Sequence, residues 1–142
     1  MTQRAIETLS EAECFDLIKQ EAIGRFVFQD AEGLAALPVN FGVAGHQILF
    51  RTDVGSHLRE VLDGPVAFEI DHAEGESGKG WSVLIRGSAE EYGLEQVHEL
   101  SHRTHGAVPH PWAEGVHNIW IVVTPAKVTG RRLAAKYFSP VF

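Results

Sequence analysis

The sequence predicts a single, mainly β domain over residues 1–142, a small antiparallel barrel carrying short helices. Three observations lead there. Runs of β-branched and aromatic residues recur along the chain, separated by turn residues, as in hairpin-linked strands. These runs do not alternate regularly with helices, which argues against a doubly wound parallel sheet. With 44% hydrophobic and 22% charged residues over 142 positions, the chain has the composition of a globular domain and the length for one sizeable core.

The elements follow in order. Ser10-Glu11-Ala12-Glu13 is a capping box, with Leu9 placed as a staple onto Cys14. Phe15, Leu17 and Ile18 give the helix an apolar face, and it should end before Gly24. Phe26-Val27-Phe28 then starts a strand, a turn falls at residues 30–33, and a strand covers 34–43. Ala44-Gly45-His46 is a tight turn into a strand at 48–52. A short amphipathic helix is expected at 58–62, closed by Gly64. Residues 66–71 form a strand between Pro65 and a loop at 74–78, and a long strand runs over 81–91. Residues 94–102 are helical in pattern, and 118–123 return to strand, continuing past Pro125 towards Thr129. The count is about six strands and two or three helices, with no internal repeat or low-complexity linker. In the long strand Trp81, Val83 and Ile85 alternate with Ser82, Leu84 and Arg86, so Leu84 adds apolar character to the second face. Such a strand is expected to be covered on both sides.

Charge and cysteine content narrow the function. The formal net charge of −7 disfavours a broad contact with nucleic acid or an anionic membrane, so any anion site must be local. Cys14, the only cysteine, leaves no intrachain disulfide framework and fits a reducing compartment. The first residues lack the apolar core of a signal peptide, and no apolar run approaches transmembrane length, so a cytoplasmic protein is expected.

One turn stands out chemically. Phe50-Arg51-Thr52-Asp53-Val54-Gly55-Ser56-His57-Leu58 ends a strand in Arg-Thr and starts a helix after Gly-Ser-His. A guanidinium, two hydroxyls, an imidazole and free backbone N–H groups thereby converge, a donor set suited to a phosphomonoester. The plainer alternative is a helix start capped by Ser56 with Arg51 on a solvated face.

The succession of the capped first helix, Ile23-Gly24-Arg25, Leu37-Pro38-Val39-Asn40-Phe41, Phe50-Arg51-Thr52, Gly55-Ser56, Val66 to Asp71, Gly80-Trp81-Ser82-Val83 and Gly87 closely resembles the pyridoxamine 5′-phosphate oxidase-like family. Pro111-Trp112-Ala113 and Thr129-Gly130-Arg131-Arg132 add to the resemblance, which covers nearly the whole chain in order. It implies the flavin-binding split-barrel fold and a homodimer. It also implies that the flavin ring lies along Pro38, Val39, Asn40 and Phe41, held mostly by backbone contacts. Arg51, Thr52, Ser56 and His57 would hold the ribityl phosphate, while Trp81 and Ser82 would approach the flavin from the neighbouring subunit. Where many relatives carry Lys or Arg after the serine, this chain has His57 and Leu58. The arginine-rich C-terminal segment that true pyridoxamine phosphate oxidases use on their substrate is not evident before Phe142, which argues against vitamin B6 oxidation.

Other constellations are weaker. His98, His102 and His105 share one helical stripe, beside the apolar positions Leu94, Val97 and Leu100. Three imidazoles could ligate a transition metal, but no carboxylate is placed as partner and a solvated face is the expectation, so no metal site is assigned. No serine sits in a nucleophile-elbow pattern. The expected function is therefore that of an oxidoreductase holding FMN at a homodimer interface and acting on a small molecule, with no side chain assigned as catalytic. Two alternatives stand beside it: use of the deazaflavin F420, and a non-catalytic flavin- or haem-binding protein.

Overall fold

A computed structural model of the chain describes residues 4–53, 57–104 and 118–135. Its elements are β1 (Arg4–Leu9), α1 (Glu11–Ile18), β2 (Ile23–Asp30), β3 (Gly33–Ala44), β4 (Gln47–Asp53), β5 (Val66–Glu74), β6 (Lys79–Tyr92), α2 (Leu94–Thr104) and β7 (Asn118–Ala135). All strand pairings are antiparallel, in the order β1-β7-β4-β3-β2-β5-β6, and a further β6–β7 pairing closes the ring. β7 makes the closure. It pairs with β6 on one side, and on the other with β4 through its first half and β1 through its second. The expected mainly antiparallel architecture with short helices is thus the one observed.

The structure corrects the expectations in two places. β1 is a seventh strand, not foreseen because its only strongly apolar residues are Ile6, 62% exposed, and the buried Leu9. Backbone pairing to residues 130–135 of β7 holds it, without an apolar stripe of its own. The short helix expected at 58–62 is a 3₁₀ turn at His57–Glu60, because Asp63-Gly64-Pro65 leaves no room for a full α-helical turn after it.

Inside the ring, Phe26, Phe41, Phe50 and Phe68 pack against Ile48, Ile70, Val83, Ile85 and Ile121, and α1 closes one end with Cys14, Phe15 and Ile18. The capping box at Ser10 and Glu13 is formed in both directions, at 3.0 and 3.2 Å, and its hydrogen bonds hold the Glu13 carboxyl below the usual range. A second, smaller cluster lies outside the ring, where Val97 and Leu100 of α2 cover Ala44, Leu49, Trp120 and Val122. Among the described residues no helix is long and apolar enough to cross a membrane.

Gly24 belongs to the sequence pattern for a packing reason. A Cβ there would strike the ring of Phe68, which is fully buried and in edge contact with Phe41 at 5.3 Å. Gly24→Ala is expected to lower stability by about 1–3 kcal/mol through overpacking, measurable as a lower urea midpoint at unchanged slope.

Candidate functional site

β3 and β4 run together only from Phe41↔Phe50 to Ala44↔Gln47, and beyond Phe41 they part. From Asn40 back to Gly33, β3 pairs with β2 alone. Its other edge has no strand partner among the described residues. Phe41 N–H donates to the Ala22 carbonyl at 3.2 Å, on the β2 side. Strand alternation therefore turns the N–H of Asn40 and the C=O of Pro38 towards the open edge, while the C=O of Asn40 faces the Arg51 N–H where β4 departs. A proline suits such an edge, since its missing N–H is not needed for pairing.

At the foot of this open edge stands Arg51, one position beyond the Phe41↔Phe50 pair and in register with Trp120 of β7. Its guanidinium carbon lies 4.9 Å from the centre of the Trp120 ring. The indole thus holds the plane of the guanidinium by a cation–π contact. Pro38, Asn40 and Arg51 share the outward face, whereas Phe41 points into the core with Phe50. Thr52 is half-buried at the end of β4. Six of the ten residues expected in the site, Pro38, Val39, Asn40, Phe41, Arg51 and Thr52, are thus brought together. Ser56 and the side chain of His57 lie outside the described residues, as do His105 and Pro111-Trp112-Ala113. Trp120 was not foreseen as part of the site, because only the β4–β7 register places it against Arg51.

Trp81 and Ser82 are elsewhere in the same chain. Ser82 pairs with Arg131, eleven positions along β7 from Trp120, the partner of Arg51. At about 3.3 Å per residue this separates them by roughly 36 Å along the strand. The two residues also face opposite ways. Trp81 packs on the core cluster, with its ring 6.5 Å from that of His72, and His72 Nδ1 lies 2.9 Å from the Glu21 carboxylate. These residues, with Lys79 and Arg132, line a cleft of about 450 Å³. Ser82 lies on the outer face and borders a second cleft of about 480 Å³, which adjoins the first and shares His72, Lys79, Gly80, Trp81 and Leu133 with it.

Beside Ser82 on that outer face is a charged cluster. Asp71 is its cross-strand neighbour, Glu69 follows two residues away, and Arg25 Nη1 reaches both carboxylates at 3.2 Å (Glu69) and 3.6 Å (Asp71). The Glu69 carboxyl is pushed up to about 7 by burial and by its hydrogen bond and repulsion with Asp71, against the pull of Arg25. The folded chain thus keeps a proton that the unfolded chain releases from about 4.5 upward. Stability is expected to fall as pH rises from about 4.5 to about 7. Glu69→Gln should flatten that decline, seen by urea unfolding across the same pH window.

Other titratable groups offer less. Burial, with Glu13 and Glu11 nearby, pushes the Cys14 thiol up, so it is a packing residue and a poor nucleophile. His98 and His102 are exposed on α2, and no group of three metal-ligating side chains occurs among the described residues.

Comparison with known proteins bears on the family and the fold. Residues 10–132 match the family model described as pyridoxamine 5′-phosphate oxidase. An uncharacterised protein of Mycobacterium tuberculosis is 30% identical over 144 residues, covering 96% of this chain and 91% of its own. The structure of an FAD-binding protein from Mycobacterium smegmatis aligns with a TM-score of 0.76 at 34% identity, over 90% of this chain and 98% of that one. An FAD-binding protein from Mesorhizobium loti shares the fold, with a TM-score of 0.73 at 18% identity over 93% of this chain and 99% of that one.

Proposed function

Since the chain belongs to the pyridoxamine 5′-phosphate oxidase family, we propose that it binds a flavin nucleotide between two copies of itself and works as an oxidoreductase. The observation that carries this reading is the open backbone edge of β3 ending at Arg51. The edge presents N–H and C=O groups that match the polar rim of a flavin ring, and the guanidinium at its foot matches the phosphate. The donor set therefore fits the cofactor. When bound, the flavin supplies the electron chemistry.

The residues have separable parts to play. Arg51 and Thr52 anchor the phosphate, and Trp120 keeps the Arg51 plane fixed so that less freedom is lost on binding. Asn40 and Pro38 align the ring through their main-chain groups. Ser82 sits roughly 36 Å of strand away from Arg51, so a complete site takes Ser82 of the partner subunit. This division is the argument for a homodimer. Covering the ring from the second subunit excludes water and strengthens every polar contact inside.

FMN is the simplest cofactor for this site. FAD is the second reading, favoured by the FAD-binding relative at 34% identity. The absorption spectrum of freshly purified protein, followed by fluorescence titration of the apo-protein with FMN and with FAD, tests the proposal. Flavin bands and saturable quenching by at least one of the two are expected. A colourless protein that quenches neither, or one showing a Soret band alone, would refute it.

A further inference from the structure

The cleft at Ser82 has an uneven lining. Two rows of residues in register across β5, β6, β7 and β1 build it: Asp71–Ser82–Arg131, and Ala73–Gly80–Leu133–Ile6. One wall is apolar, formed by Leu133 and by Ile6, which is left 62% exposed. The other is basic. Arg131 stands on it beside Asp71 and Ser82, and Lys79 reaches it from the boundary shared with the first cleft. Neither cation makes an ion pair among the described residues, and the charge of Asp71 is offset by Arg25 at 3.6 Å. The same face continues with Arg86 directly opposite Lys127. Like charges at a cross-strand pair cost stability, and here they add a positive field beside the cleft in a chain of net charge −7. The volume, about 480 Å³, is that of a small-molecule site.

We propose that this cleft binds a small organic monoanion, a carboxylate on an apolar body, with Arg131 and Lys79 taking the charge and Ile6 and Leu133 the body. Resting on the reading that Ser82 of the partner subunit borders the flavin, the cleft is the substrate pocket of the shared site. Its position explains why Ser82 lies among basic and apolar side chains so far from the phosphate anchor. The substrate class is thereby narrowed to acids with an apolar portion, and a broad polyanion is disfavoured by the acidic chain around the cleft.

The test uses 2-naphthoate and its uncharged analogue 2-naphthamide as probes, titrated calorimetrically into the protein as purified. The naphthoate is expected to bind at least tenfold more tightly than the amide. Arg131→Gln should remove most of that ratio, Arg131→Lys should keep part of it, and Ile6→Ala should weaken both probes alike. Equal affinities in the wild type, or an unchanged ratio in Arg131→Gln, would overturn the anion site. In flavin-loaded protein, naphthoate should also perturb the visible flavin spectrum. Binding that leaves that spectrum untouched would overturn the assignment as substrate pocket. If no flavin is held at all, the proposed function fails, yet the calorimetric ratio still decides the anion site.

Discussion

Leu84→Arg is expected to leave a folded monomer that has lost its flavin. Leu84 is half-buried on the outer face of β6 and belongs to neither apolar cluster of the single chain, since α2 packs further along, over Trp120 and Val122. Its cross-strand neighbour is Glu69. A new guanidinium there can meet that carboxylate in the isolated subunit, which keeps the fold, but buried beneath a second subunit it would be costly to desolvate. The predicted result is halved mass in sedimentation together with loss of flavin absorbance, at unchanged near-UV circular dichroism. A variant that stays dimeric and flavin-loaded would move the subunit contact off this face.

Arg51→Ala should weaken flavin binding by about 1.5–3 kcal/mol, the range for a hydrogen bond to a charged group. That corresponds to roughly 10- to 150-fold in Kd. Arg51→Lys should recover only part, because a lysine offers neither the planar fork nor the same stacking on Trp120. Fluorescence titration of apo-protein with FMN gives all the affinities. An alanine variant with wild-type affinity would remove Arg51 from the phosphate site.

Much of the fold was legible in the sequence because its turns carry their own chemistry. The capping box at Ser10, the turn residues around Gly33 and Gly45, and the alternation of Val83 and Ile85 each depend on neighbours close in the chain. What escaped depends on distant partners. β1 has no apolar stripe and exists through its pairing to β7, whose eighteen residues serve three strands. The site divides in the same way. Arg51 and Thr52 could be picked out because a strand ending in Arg-Thr before Gly-Ser is informative by itself. Trp120 could not, since it lies sixty-nine positions along the chain from the guanidinium on which it stacks. The open edge of β3 follows from the parting of β3 and β4 beyond Phe41↔Phe50, which no local pattern encodes. The opposed directions of Trp81 and Ser82 are a consequence of strand alternation, and a shared resemblance motif conceals it.

The central claim is that one flavin site is completed by two chains. Sedimentation velocity on freshly purified protein, followed simultaneously in protein and flavin absorbance, tests it most directly. The account predicts a single boundary at the mass of a dimer in both signals, with flavin absorbance absent from any monomer fraction produced by dilution. A monomer that carries flavin through the sedimentation would contradict it.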